Sequence, residues 1–205
     1  MLTAPERSGV APAPPMRLTL PVELNGLRLR RLRADDLAPF LGYRSDPVVA
    51  RFQGWDPMDE AQARAFLARN AAAQSLTPGA WCQLAVAEAA GDALIGDLGL
   101  WLSTDAACAE FGMSIARGHQ GRGHGSETAR GAIALLFASA PVARVLAHAD
   151  ARNFACLRAL ARAGMRQVGE RRLEWKGEAC VEHGFALSRA EAAALGLVRN
   201  GAPAA

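Results

Sequence analysis

The chain has 205 residues, 51% of them hydrophobic and 21% charged, with a formal net charge of +3. That profile fits one globular domain able to bury a core without staples, and so mild a charge gives no nucleic-acid footprint. The cysteines, Cys82, Cys108, Cys156 and Cys180, are too scattered for a disulfide frame or a zinc site, so they read as reduced thiols of a cytoplasmic protein with no metal.

Pro5, Pro12, Pro14, Pro15 and Pro21 punctuate a start with no apolar h-region, which excludes a signal peptide or a membrane span there. Residues 1–20 are expected to be a disordered tail, 21–195 the folded domain and 196–205 a flexible tail. Leu27, Leu29 and Leu32 among Arg28, Arg30, Arg31 and Arg33 predict a strand with a solvated arginine face. Asp35 and Asp36 suit the start of a helix running to about Tyr43. Asp46-Pro47 opens a short helical turn, and a loop with Phe52 and Trp55 leads to a longer helix over 59–75. Cys82, Leu84 and Val86 alternate as a strand. After the turn at Ala90-Gly91-Asp92 the alternation resumes through Leu102.

The most informative stretch follows. Phe111, Met113 and Ile115 alternate as a half-buried strand, then glycines stand at 121, 123 and 125, and Ser126-Glu127 open an amphipathic helix. A glycine turn feeding a helix N-terminus is an anion cradle, because the first N–H groups lack internal partners and no Cβ holds a ligand away. A P-loop would need a lysine before Ser126. A dinucleotide-binding fingerprint would need a third glycine at Ser126 and more chain after Asp150 than remains. Gln120, Gly123 and Gly125 instead give Gln-x-x-Gly-x-Gly without strain.

Beyond this, Arg144–Asp150 predicts a strand, Asn153 to Ala163 a helix stopped by Gly164, and residues 165–175 and 180–187 a hairpin turning at Lys176-Gly177-Glu178. Ser188 to Ala194 predicts a terminal helix.

The glycine loop resembles the acetyl-CoA signature of the GNAT superfamily of N-acetyltransferases. The element order, β, α, α, β, β, β, α, β, α, β, β, is that of its domains. The resemblance covers roughly residues 24–190 and is nearest the RimJ/RimL-type branch. It rests on the arginine-rich opening followed by Asp35-Asp36, on residues 45–52, on Ala109-Glu110-Phe111-Gly112, and on Asp150-Ala151-Arg152-Asn153 with Cys156, Leu160 and Gly164. It implies an α/β GNAT fold: a mixed, mostly antiparallel seven-stranded sheet with helices on both faces. It further implies transfer of an acetyl group from acetyl-CoA, a co-substrate, to a primary amine by direct attack in a ternary complex. The partners are then acetyl-CoA and an amine acceptor, a protein N-terminus or a small molecule, in a monomer or homodimer without nucleic acid or membrane.

By the same resemblance, the backbone at Met113 and Ile115 pairs with the pantetheine arm in a splay of the sheet. Gln120, Gly121, Arg122, Gly123, His124, Gly125 and Ser126 hold the pyrophosphate, and Asn153 and Cys156 lie along the arm. Glu110 is the first candidate for the base and Glu174 the second. Leu160 stands where many relatives have a tyrosine, and Cys156 where the branch often has a serine, so the donor to the leaving thiolate is a thiol, a weak donor. Asn153 also reads simply as an N-cap, and His183, in phase with Val181 and Phe185, as a core histidine. A non-catalytic acetyl-CoA-binding sensor or scaffold is the alternative function.

Overall fold

Leucines at every second position give β3 (Leu27–Arg31) one face for a core, and its neighbours repeat the pattern across a sheet. The computed structural model describes residues 12–72 and 75–198. Within them the other strands are β1 (Met16–Arg17), β2 (Val22–Glu23), β4 (Ser75–Leu76), β5 (Trp81–Glu88), β6 (Leu94–Leu102), β7 (Cys108–Ile115), β8 (Arg144–Asp150), β9 (Arg166–Trp175) and β10 (Glu178–Ser188). The helices are α1 (Leu37–Arg44), α2 (Pro47–Ala50), α3 (Glu60–Ala71), α4 (His124–Ser139), α5 (Phe154–Arg162) and α6 (Arg189–Ala194). The main sheet runs β2-β3-β5-β6-β7-β8-β10-β9, eight strands where seven were expected, because the two-residue β2 adds itself at one edge. Every neighbour pair in it is antiparallel except β7–β8.

Helices cover both faces. On one, Ala129, Ile133 and Leu136 of α4 pack with Leu29, Val86, Leu98 and Phe111. On the other, Phe40 and Tyr43 of α1 and Leu67 of α3 pack with Leu32, Ala85 and Leu94. Sandwiched between, β6 is buried along its whole length. It carries a charge into that second layer: Asp97, which accepts from Tyr43 Oη at 2.6 Å and Arg44 Nε at 2.9 Å. The Arg44 guanidinium lies 4.3 Å from the Trp55 ring centroid, which fixes the loop after α2.

Three expectations change. Arg30 is not on a solvated face: it is buried and pairs with Asp36 through two 2.8 Å bonds, and with Asp92 at 2.9 Å. A guanidinium tolerates that depth because its donors find carboxylates. Residues 16–18, expected in a disordered tail, are folded, since β1 pairs with β4 and Leu18 is buried in the main core; residues 1–11 of that expectation lie outside the described residues. The C-terminal boundary also moves. Gly196, at φ 69, closes α6 with bonds from Gly196 N to Ala193 O and from Leu197 N to Ala192 O, and Leu197 and Val198 pack on the core. Residues 199–205 lie outside the described residues. Leu18→Ala is therefore expected to cost about 2 kcal/mol, the low end for a buried leucine; urea unfolding that matches wild type would remove β1 from the cooperative unit.

Candidate active site

The parallel pair β7–β8 is in register only at Cys108–Arg144, Ala109–Val145 and Glu110–Leu146. Past Glu110, β7 stays with β6 as far as Ile115 while β8 stays with β10 as far as Asp150. The sheet therefore splays, and the β7 edge from Phe111 to Ile115 has no strand beside it. Side chains take two of its carbonyls: Gln53 Nε2 donates to Met113 O at 3.2 Å and Gln120 Nε2 to Ile115 O at 2.8 Å. A cavity of about 60 Å³ fills the splay, lined among others by Met113, Asn153, Cys156 and Leu160.

At the mouth of the slot, Gly121 (φ 77) and Gly123 (φ 86) take left-handed backbone that favours glycine. Helix α4 begins at His124, two residues before the expected Ser126. Its N-cap is Gly123, which has no side chain to cap it, so the first-turn N–H groups of His124, Gly125 and Ser126 point outward as donors. A Cβ on Gly125 would meet Ala159 Cβ at 3.5 Å and Met113 Cε at 3.8 Å, so the glycine keeps open the gap between α4, α5 and β7. Gln120 ties the loop to the end of β7, while Arg122 is exposed and His124 half-buried. Asn153 caps α5, accepting from Cys156 N at 3.1 Å, and lines the slot as well. Burial pushes the Cys156 thiol up to about 11, so it stays protonated at neutral pH.

The second cavity, about 90 Å³, opens on the other face of the splay. Alternation along β7 turns Phe111 and Met113 to the α4 side and Glu110 to this one, where it is buried. Its Oε1 lies 3.2 Å from His148 Nδ1, an ion-pair distance but out of line for a hydrogen bond. His148 was missed from sequence. The signal was there in β8, where Val145, Ala147 and Ala149 enter the core and leave Leu146, His148 and Asp150 on the opposite face. Trp81, Trp175 and Glu182 also line this cavity and were not named from sequence; Phe52, read only as a loop aromatic, lines it too. Two carboxylates on its wall have arginine partners. Arg152 grips Asp150 at 2.8 and 3.0 Å and holds its carboxyl below the usual range, and Arg171 Nε donates to Glu182 at 2.7 Å.

Glu174, the second candidate for the base, lies elsewhere. It is exposed and does not line the cavity, because its neighbours on β9, Leu173 and Trp175, take the inward phase. His183 is half-buried at 3.7 Å from Glu170 and lies outside the core cluster. Among the described residues no three His, Cys, Asp or Glu side chains gather as metal ligands. None of the described helices is long and apolar enough to cross a membrane.

The chain belongs to the GNAT acetyltransferase family: residues 26–166 match the model described as an acetyltransferase (GNAT) domain. Solved structures share the fold. A GNAT-family acetyltransferase from Bacillus anthracis superposes with a TM-score of 0.73 at 19% identity, covering 82% of this chain and 98% of its own. The spermidine N-acetyltransferase from Vibrio cholerae, solved with CoA and spermine, gives 0.69 at 18%, covering 81% and 97%. A GCN5-related N-acetyltransferase from Brucella melitensis gives 0.69 at 18%, covering 88% and 85%. No curated protein matches.

Proposed function

We propose that the protein is an acetyl-CoA-dependent N-acetyltransferase of the RimJ/RimL type, acting on a primary amine in a ternary complex in the cytoplasm. One observation carries the reading. A single splay joins an uncapped helix N-terminus at one end to a buried carboxylate–imidazole pair at the other. The residues fit the co-substrate: the α4 first turn and Gly121–Ser126 suit a pyrophosphate, and the unpaired edge at Met113 and Ile115 suits an amide-bearing arm. Acetyl-CoA supplies the activated acetyl group when bound.

The chain's own residues do the rest. The cavity around Glu110 orients the amine toward the slot, so positioning supplies much of the rate. Glu110, directly or through His148 or a water, takes the proton an ammonium must lose before its nitrogen can attack. N–H groups on the β7 edge face the carbonyl oxygen as charge develops. The Cys156 thiol, held neutral by burial, gives a proton to the departing sulfur as the C–N bond forms and the C–S bond breaks. A thiol is a weak donor and a CoA thiolate leaves tolerably without it, so Cys156→Ala is expected to slow turnover by less than about tenfold. A larger loss, with acetyl-CoA affinity unchanged, would make the donor essential.

Gly125→Ala tests the slot without straining the backbone, since its Cβ makes only ordinary contacts. Acetyl-CoA affinity is expected to fall at least about tenfold, because the methyl fills the gap between α4, α5 and β7 and holds the phosphates off the first-turn N–H groups, which weakens charge-assisted hydrogen bonds worth about 1.5–3 kcal/mol each. Equal calorimetric affinities for the folded variant and wild type would displace the co-substrate from this site. The function itself is tested by release of free CoA thiol from acetyl-CoA across an amine panel. Amine-dependent release supports it; tight acetyl-CoA binding with no release for any amine is the behaviour of a sensor or scaffold module.

A further inference from the structure

Charge balance in the cavity beyond Glu110 narrows the acceptor. Three carboxylates line it, Glu110, Asp150 and Glu182. Asp150 is held by Arg152 through two bonds, and Glu182 by Arg171, whose Nη2 lies 2.6 Å from Oε2. Arg152 also reaches Glu178 on the rim at 2.9 Å. Only Glu110 faces the cavity without a guanidinium; its neighbour is His148. A second ammonium on the acceptor would therefore find its carboxylates already occupied, and would be desolvated without a partner.

The remaining wall is apolar and aromatic: Phe52, Trp81, Leu173 and Trp175. A ring or short alkyl group suits such a wall, and the cation beside it gains from the aromatic faces. The space is small, and its wall is held in place. At the tip of the β9–β10 hairpin, Lys176 Nζ donates to Ala50 O at 3.0 Å and Trp55 O at 2.6 Å, and lies 3.0 Å from Asp56 Oδ1. Lys176 and Gly177 have φ 52 and 77, the two left-handed residues of a tight hairpin turn, so the tip is held in place rather than loose. This clamp ties the hairpin that carries Leu173, Trp175 and Glu182 to the loop that carries Phe52, and about 90 Å³ is below the range of about 300–1,000 Å³ usual for drug-sized ligands, so a peptide backbone has little room beside the amine.

Resting on the acetyltransferase reading above, we infer that the acceptor is a small primary amine bearing one cationic nitrogen and an aromatic or short apolar substituent, not a polyamine or a protein N-terminus. The test uses the full chain. Acetyl-CoA is first titrated calorimetrically, and thiol release is then followed with phenethylamine, spermidine and a tetrapeptide with a free N-terminus. Expected is a kcat/KM for phenethylamine at least about tenfold above either of the others, a gap of about 1.4 kcal/mol. Arg171→Gln, which unmasks Glu182, should raise kcat/KM for spermidine about threefold or more and leave phenethylamine unimproved. Trp175→Ala should raise KM for phenethylamine and not for ethylamine. If acetyl-CoA binds but spermidine or the peptide is used as well as phenethylamine, the acceptor class is wrong while the acetyltransferase reading stands; if acetyl-CoA binds and no amine is used, the acetyltransferase reading fails as well. If acetyl-CoA does not bind, the acetyltransferase reading fails and takes the acceptor with it.

Discussion

Glu110→Gln is expected to lower turnover by about 10²–10⁴-fold, the usual contribution of a general base, while acetyl-CoA still binds. The amide keeps the size of the carboxylate and its place opposite Leu146 on β8, but it cannot take a proton. His148, 3.2 Å away, decides how the proton travels. If Glu110 acts alone, His148→Gln is mild; if the imidazole relays the proton, both variants are slow and their effects do not add. Glu174→Gln should match wild type, because Glu174 is exposed and its neighbours Leu173 and Trp175 are the ones facing the cavity. A full-rate Glu110→Gln with a dead Glu174→Gln would overturn the assignment. The comparison requires pH–rate profiles of all three variants on one amine.

Asp97→Ala is expected to cost about 3–5 kcal/mol of stability, the penalty for leaving a buried charge without its partner. Asp97 and Arg44 are both buried, 2.9 Å apart, and the Tyr43 hydroxyl would lose its acceptor at the same stroke. Burial, then the Asp97 charge, pushes the Tyr43 hydroxyl well above its ordinary value, so it remains a donor across the working pH range. For a domain of this length the loss corresponds to a drop in Tm of about 6–20 °C. Urea unfolding at 25 °C measures it directly, and a cost below about 1 kcal/mol would show that α1 relaxes to let Arg44 reach water. The damage should extend to the site. Arg44 stacks on Trp55, and the same loop carries Phe52 and Gln53 into both cavities.

The parts of the molecule legible in the sequence are those governed by local rules. The period of β7 by itself puts Glu110 on the face opposite Phe111 and Met113; a glycine turn is where left-handed backbone is found, at Gly121 and Gly123; and Asn153, read as an N-cap, caps α5. What sequence reading lost depends on which strand lies beside which. Arg30 looked like part of a solvated face because its partners, Asp36 and Asp92, reach it only when β3 docks on β5 and the 91–92 turn closes above it. Met16–Arg17 carries no periodic signal and is a strand only because Ser75–Leu76 lies alongside. His148 belongs to the site because β8 departs from β7 one step past Leu146, a divergence no local pattern in either strand encodes. Glu174 was named for its place near the end of a strand and not for its phase, and in a strand one residue exchanges the two faces: Leu173 and Trp175 line the cavity and Glu174 does not.

The claim that the splay between β7 and β8 is the acetyl-CoA slot is tested most directly by amide hydrogen exchange with and without acetyl-CoA. An arm laid along the free edge of β7, with phosphates on the α4 N-terminus, should slow exchange at residues 111–115 and 121–127. Exchange in the β5–β6 pair, already closed by strands on both sides, should not change. Binding that protects some other segment, or that leaves 111–115 and 121–127 exchanging as before, would contradict the assignment.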